Sequence, residues 1–379
     1  MPRLNTARVL GWALVTAVLA VLGIVVRFAR SLVTPPRQLE SELRILDIDR
    51  VHERIVLSDR PASRLPGNYG LWFGQDAGYL RFGEVISATP GRVVRELTEI
   101  VSGTPRRGQA ARDTGWFFIA PWELELKWEN LVVPSELGDL PAWHFSPASK
   151  SDDWVIHVHG RTASRAETLR SVRVATDAGW HSLAVSYRND RFAPRSTDGR
   201  YGLGSTEWQD VLAAIDVAVA AGAKRIVLFG WSMGGMIALR TAVEARQHVP
   251  VGIILDSPAL SWPNIIAHHA ELKRLPSVFG QAVAALLGSR WAPGVTGLAR
   301  PIDWRGIDGG NLAARAELPV LLMHSAADDY VPVEPARQLA ADLPALVEYH
   351  EFADAGHTRL WNRDPERWER TITEWLTRL

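Results

Sequence analysis

The stretch RIVLFGWSMGGMIALRTAVEA, residues 225–245, passes from a short apolar run to a segment with helical spacing. Between the two stand Gly230, Trp231, Ser232, Met233, Gly234 and Gly235. A serine at such a junction, with Gly230 and Gly234 two positions away on either side, has the G-x-S-x-G pattern of a nucleophile elbow. The chemistry explains the glycines. A serine on a sharp turn adopts strained backbone angles, and neighbours two residues away must lack side chains to avoid collision. The helix that follows aims its N-terminal amides at the same point, where they favour developing negative charge. Outside this context the pattern is weak, because average composition produces it in a chain of this length roughly one time in eight. The competing reading is a tight turn with an incidental serine.

A serine hydroxyl needs a base to become a nucleophile, and the base must itself be oriented. In ADAGHTRLWNRDP, His357 follows the run 346–352 and lies in a small-residue loop before the last helical stretch. The other histidines lack one or other of these features. His157 and His159 alternate along a strand as a metal pair can, but no further ligand pattern follows them. His268 and His269 are adjacent on a helix and do not share a face. His324 ends a strand and is expected to be a structural partner in the turn. An acid is expected between serine and histidine in chain order. HSAADDYVPV places Asp328 and Asp329 just past the run 319–324. Asp328, which starts the D-x-x-V-P run, is assigned, with Asp329 as a surface or turn carboxylate. Asp256, after the run 251–255, is the alternative topological position. An oxyanion needs two backbone amides: one is assigned to Met233, the residue after the nucleophile, and the other to Arg161 in HVHGRTASR.

The elements that must position these residues are visible as runs. WVIHVHG at 154–160, SLAVSYR at 182–188, RIVLFG at 225–230, VGIILDSPA at 251–259, PVLLMH at 319–324 and LVEYHEF at 346–352 alternate with helical stretches. The helices are expected at about 167–178, 205–221, 235–245, 335–341 and 365–379. Such alternation predicts parallel βαβ units with a sheet buried on both faces. The long interruption at about 260–311 is mostly helical in pattern. It follows a strand's carboxyl end, where open α/β sheets bind ligands, and is expected to form a lid. Residues 125–379 therefore read as the chemistry-bearing domain. Residues 39–124 are rich in glycine, proline and aromatics, and predict a small β-rich or mixed accessory region without a chemical motif.

Composition narrows the classes further. Of 379 residues, 42 are basic and 42 acidic, so no strong field points to nucleic acid. The chain has no cysteine, which removes disulfides, thiolate catalysis and cysteine-bound metal centres. Residues 1–38 stand apart: VLGWALVTAVLAVLGIVV at 9–26 carries no charge, and at 1.5 Å per residue it covers about 27 Å, close to the hydrocarbon core of a bilayer. Arg27-Phe28-Ala29-Arg30 follows it where a cleaved signal would have small residues, so a retained membrane anchor is expected. Arginines flank both ends, at Arg3 and Arg8 and at Arg27 and Arg30, so loop charge sets no orientation.

Over roughly residues 125–379 the sequence resembles the α/β-hydrolase superfamily, through HGRTASR, SYRND, GWSMGG, HSAADDYVP and AGHTRLWN in that order. The nearest resemblance is to bacterial membrane-anchored serine hydrolases related to the prolyl-oligopeptidase-like and dienelactone-hydrolase-like branches. It implies an α/β fold with an eight-stranded, mostly parallel sheet and a Ser232–His357–Asp328 triad. SYRND departs locally from the Asp-Tyr-Arg-Gly loop of many members. The function expected is a membrane-anchored serine hydrolase of small acyl esters, thioesters or amides, with no cofactor and no metal. A peptidase, an acyltransferase and a non-catalytic scaffold are the alternatives. Peptidase relatives often carry an N-terminal β-propeller, for which residues 39–124 are too few.

Overall fold

The computed structural model describes residues 6–36, 38–245 and 250–379; Arg3, named above as a flank of the apolar stretch, lies outside them. The first helix, α1 (Thr6–Val33), continues past Arg27 and Arg30 and stops just before Pro35-Pro36, which cannot continue it. Its two parts differ. From Trp12 to Ile24 its side chains are exposed. Val25, Phe28, Ala29, Leu32 and Val33, spaced to share one helical face, are buried in the main core. The stretch expected to span, residues 9–26, thus runs without a break into two last turns that dock on the body.

Six strands follow: β1 (Leu43–Asp49), β2 (Arg54–Ser58), β3 (Tyr69–Phe73), β4 (Gly78–Thr89), β5 (Arg92–Ser102) and β6 (Ala110–Thr114), with the single-turn helix α2 (Pro61–Arg64) between β2 and β3. They close into a barrel in the order β1-β2-β5-β4-β3-β6, which leaves no free sheet edge. Leu43, Ile45, Ile55, Leu57, Leu71, Leu80 and Phe82 fill it. A charged side chain is buried with them. Arg95 on β5 has no exposed surface and no carboxylate partner among the described residues. Its guanidinium donates to the carbonyls of Ser63 (2.9 Å), Leu65 (2.7 Å), Gly67 (2.9 Å) and Gly83 (2.8 Å), and it lies over the Phe82 ring. Burial pulls its pKa down to about 10, which still leaves it charged at neutral pH.

The second sheet contains β7 (Trp128–Ser135), β8 (Gly138–Phe145), β9 (Asp153–Val158), β10 (His181–Val185), β11 (Arg225–Trp231), β12 (Pro250–Asp256), β13 (Val320–Ser325) and β14 (Val347–Phe352). Its order is β14-β13-β12-β11-β9-β10-β8-β7. The β7–β8 and β8–β10 pairs are antiparallel, and the rest are parallel. Six of these strands follow the apolar runs of the sequence. The β7–β8 hairpin does not, because Pro134 and Pro141 interrupt its alternation; its one local signal is the turn glycine Gly138, at φ +123°.

Helices α3 (Leu169–Asp177), α4 (Trp208–Ala220) and α5 (Met233–Glu244) connect the central strands. Between β12 and β13 lie α6 (Trp262–Leu272), α7 (Ser277–Gly288), α8 (Ala292–Thr296) and α9 (Gly309–Ala316). After β13 come α10 (Glu334–Asp342), α11 (Leu360–Arg363) and α12 (Pro365–Arg378). Within the α6–α9 insertion Ile265, Ile266, Val283 and Leu287 are buried in the core shared with the sheet, and Leu275 and Phe279 pack partly against it. The insertion is thus a packed roof. α1 rests on its helices α7 and α8.

Because the strands from β9 to β14 run parallel, the loops after β9, β11, β12, β13 and β14 emerge at one edge. They carry Arg161, Ser232, Ser257, Asp328 and His357 respectively.

The barrel gives a direct test of the role of Arg95. Arg95→Met removes every hydrogen bond made by the guanidinium and leaves the four carbonyls buried. We expect a loss of about 3 kcal/mol or more and early cleavage within residues 39–124 in limited proteolysis of the full chain. Unchanged protease resistance would show that the carbonyls find other donors.

Candidate active site

Ser232 has φ +50° and ψ −118°, a conformation side chains rarely adopt. The surroundings leave no alternative. A Cβ on Gly230 would enter the Gly234 backbone, and one on Gly234 would enter the carbonyl oxygens of Val158 and His159 at the end of β9. The elbow is therefore held backbone against backbone. The Ser232 amide donates to the Asp256 carbonyl (3.0 Å), and the Ser232 carbonyl accepts from Gly235 (3.0 Å) and Ala259 (3.0 Å).

The side chains assigned from sequence converge here. The Ser232 hydroxyl donates to His357 Nε2 (2.9 Å), and His357 Nδ1–H donates to Asp328 Oδ2 (2.8 Å). Four donors hold the Asp328 carboxylate. Oδ2 accepts from His357 and from His324 Nε2 (3.0 Å), and Oδ1 accepts from the amides of Tyr330 (2.9 Å) and Val331 (2.8 Å). Burial alone would raise the Asp328 pKa. The His357 charge and the hydrogen bonds of both histidines overcome it, and hold the group well below the usual carboxylate range. For His357 burial opposes the charged ring, yet the adjacent Asp328 carboxylate raises its pKa above the ordinary value. The Tyr330 ring stacks on His357, with centroids 5.1 Å apart.

The other carboxylates have separate partners. Asp256 is fully buried; its oxygens accept from Ser257 Oγ (2.9 Å) and Trp368 Nε1 (2.9 Å), and burial raises its pKa. Asp329 meets the roof through its carbonyl, which accepts from His268 Nε2 (2.9 Å). His269 Nε2 donates to the Tyr330 carbonyl (3.0 Å). Adjacent histidines on one helix thus both grip the acid loop, a role no short-range pattern announced.

The loop after β9 is fixed by a buried ion pair. His159 Nε2 donates to Asp190 Oδ2 (2.8 Å) and Nδ1 to the Gly160 carbonyl (2.9 Å). Acceptors at both nitrogens favour the protonated ring. Burial opposes this charge, and Asp190 raises the pKa nevertheless. Asp190 closes the SYRND stretch, and Tyr187 of the same stretch stacks on His159 with centroids 4.3 Å apart. Tyr187 also donates its hydroxyl to the Gly160 carbonyl (2.9 Å). The Gly160 amide donates to Glu167 Oε2 (2.7 Å), which leaves the Arg161 amide without an acceptor among the described residues. Met233, as the first residue of α5, has no intrahelical acceptor for its amide. The Arg161 guanidinium reaches Tyr330 Oη (2.8 Å) and the Leu32 carbonyl (3.4 Å) at the end of α1. His157 pairs with Ser171 Oγ (2.8 Å), and burial pushes its pKa down to about 3.

Ser232 and His357 open into a cavity of about 590 Å³. Trp262 and Ile265 of the roof line it on one side, and Leu65, Arg112, Thr114 and Trp116 line it from the barrel side. The barrel is therefore a wall of the cleft. It also grips the histidine loop. Asn362 Nδ2 donates to the carbonyls of Asn68 (2.7 Å) and Gly115 (3.0 Å), while its Oδ1 accepts from Arg170 (2.8 Å). Arg170 also donates to the Thr358 carbonyl (2.9 Å), next to His357. Arg359 forms an ion pair with Asp113 of β6 (2.5 Å).

Asn362 is wholly buried, so Asn362→Ala strands two carbonyls and one guanidinium. We expect a loss of about 1–3 kcal/mol, read as a lower Tm, together with faster proteolysis at the junction of barrel and body. An unchanged Tm would show that the barrel is held by its other contacts.

Comparison with known proteins bears on the whole arrangement. Residues 44–114 match a domain of unknown function (DUF8805). The uncharacterized protein YqkD of Bacillus subtilis (strain 168) is 25% identical over 256 residues, which are 65% of this chain and 78% of that protein. The solved structure of the Pyrococcus furiosus esterase Pf2001 aligns at 21% identity with a TM-score of 0.53, over 68% of this chain and 94% of that one. A second crystal form of the same esterase aligns at 22% identity with a TM-score of 0.53, over 68% and 93%. At these identities the structural likeness is one of fold. Residues 155–371 match the family described as the alpha/beta hydrolase family, and the chain belongs to that family.

Proposed function

We propose that the chain is a membrane-anchored serine hydrolase that cleaves carboxylic esters through Ser232, His357 and Asp328. The observation that carries this reading is the unbroken hydrogen-bonded series from Ser232 Oγ through His357 to Asp328, open to the cleft at the serine end. Ser232 Oγ attacks the acyl carbon while its proton passes to His357 Nε2. The carbonyl oxygen becomes an oxyanion that accepts from the Met233 and Arg161 amides. Collapse breaks the ester bond. His357 gives its proton to the leaving alkoxide, releasing the alcohol and leaving the acyl group on Ser232. Water then loses a proton to His357 Nε2 and attacks the acyl carbon; collapse frees the acid and returns the proton to Ser232. Asp328 keeps the ring in the working tautomer and stabilises the imidazolium without taking the proton. No step calls on a cofactor.

The cleft supports a small ester over a protein substrate. Its volume of about 590 Å³ falls in the usual range for small-molecule sites, and the barrel and roof stand on two of its sides. The Pyrococcus esterase shares the fold and supports the same class. Anchoring is supported by α1, whose stretch Trp12–Val33 is long and apolar enough to cross a bilayer. The full chain should therefore sediment with membranes and resist carbonate extraction; release by carbonate would remove the anchor.

A fluorophosphonate probe should label Ser232, and Ser232→Ala should abolish both labelling and ester hydrolysis while the fold persists. Nitrophenyl esters of short to medium acyl length should turn over well, with little activity on casein or triolein. Labelling elsewhere on folded protein, or casein cleaved with esters untouched, would overturn the reading.

The acid assignment has its own test. Asp328→Asn should lower kcat by about 10⁴, far more than Asp256→Asn or Asp329→Asn. The pH profile follows in sign. His357 acts as a base only when neutral, and Asp328 raises its pKa, so activity should fall on the acid side with an inflection above the ordinary histidine value. Asp328→Asn should move that inflection of the residual activity downward. Equal losses at Asp328 and Asp256, or an unmoved inflection, would contradict the assignment.

A further inference from the structure

We infer that the roof face formed by the end of α6, α7 and the start of α8 is a docking surface for the bilayer into which α1 inserts. The inference rests on the proposed anchoring by α1 and adds the surface that the rest of the chain presents to the lipid.

α1 is a single helix from Thr6 to Val33. From Val9, just after the flanking Arg8, to Ile24 its length is about 24 Å at 1.5 Å per residue, most of the hydrocarbon core of a bilayer. Directly after Ile24 the helix becomes part of the protein core, through Val25, Phe28, Ala29, Leu32 and Val33, packed on α7 and α8. No linker separates the apolar length from the docked length, so the body cannot swing freely below its anchor. The elements that α1 touches where it leaves the body, α7 and α8, are those brought to the lipid.

That face carries the chemistry of an interface with lipid. Leu272, Val278 and Trp291 are large apolar side chains exposed by more than half, and they sit before, at the start of and just after α7. Cations accompany them in this stretch of the chain. Residues 271–300 hold Lys273, Arg274, Arg290 and Arg300 against the single acid Glu271, all exposed, in a chain whose charges as a whole balance at 42 each. Arg290 lies over the Trp291 ring, 4.8 Å from its centroid. Exposed Arg27 and Arg30 on α1 add positive charge at the point where the helix meets the body. A tryptophan with a neighbouring arginine suits the level of the headgroups, and the cation excess suits anionic lipid.

The arrangement also sets the depth of the cleft. Arg161 reaches the Leu32 carbonyl, and from Ile24 to Leu32 the helix rises about 12 Å. With α1 along the bilayer normal, the cleft wall at Arg161 lies about that far from the edge of the hydrocarbon, and any tilt brings it closer, within reach of an amphiphilic ester whose acyl end remains near the surface.

The absence of cysteine makes the test clean. Single-cysteine variants of the full chain at Val278 and Trp291, with Val51 and Val132 as body positions and Val15 on α1, are labelled with an environment-sensitive fluorophore. They are reconstituted in vesicles of phosphatidylglycerol and phosphatidylcholine carrying headgroup-level nitroxide lipid. Retained fluorophosphonate labelling shows that each variant is folded. We expect emission at Val278 and Trp291 to be blue-shifted, with quenching at least threefold that at Val51 and Val132. Deep burial of the Val15 label with Val278 and Trp291 no more quenched than Val51 and Val132 overturns the docking surface and leaves the anchor intact. A Val15 label that stays in water overturns the anchor itself, and the docking surface with it.

Discussion

The site depends on one close approach. The elbow between β11 and α5 lies against the end of β9 with no room for a side chain at Gly230 or Gly234. That contact places Ser232 at φ +50°, a conformation costing about 1–3 kcal/mol wherever it occurs. The surrounding strands carry that cost. Val155 and Ile156 on β9, Val227 and Leu228 on β11, and Ile254 and Leu255 on β12 are fully buried, each contributing on the order of 1.5–3 kcal/mol. The same approach brings the Met233 amide, the β9 loop and the serine hydroxyl to one point. Geometry that strains the backbone and geometry that gathers donors are here the same geometry.

Around that point the histidines show how partners decide charge. His357 and His159 both lie in buried surroundings that disfavour a cation, and each has an aspartate from a neighbouring loop that reverses the preference. His157, whose neighbour is a hydroxyl, and His269, whose neighbour is a carbonyl, are pushed the other way, to about 3 and about 4. The result is one ring whose protonated form is favoured beside the loop after β9 and another within hydrogen-bond reach of the Ser232 hydroxyl. A buried network of this kind is stable only while complete, since loss of one partner leaves a charge unpaired in a medium of low dielectric.

The parts of this arrangement that were legible in the sequence are local ones. Gly230, Ser232 and Gly234 announce themselves within five residues, and the runs that became β9 to β14 carry their own periodicity. Asp328 and His357 could be placed because they follow strand ends. What could not be read depends on pairs far apart in the chain. Asn362 meets Gly115 across 247 positions, and Arg170 meets Asn362 across 192. No spacing rule predicts that the last loop of the body is held by the barrel, nor that SYRND exists to supply Asp190 to His159. The docking of α1 was hidden for a different reason: residues 1–38 read as an anchor, and only the partner surface on α7 and α8 shows that the last two turns of the helix pack on protein. The β7–β8 hairpin was obscured by its own prolines.

On the proposed reading Ser232 carries the acyl group between two half-reactions, and that acyl-enzyme can be trapped. Full-length protein mixed with excess nitrophenyl butyrate and quenched in acid within milliseconds should gain the mass of one butyryl group, mapped to the peptide containing Ser232, with a nitrophenolate burst of matching stoichiometry. Turnover of the ester without a covalent adduct, or with the adduct on another residue, would contradict the account.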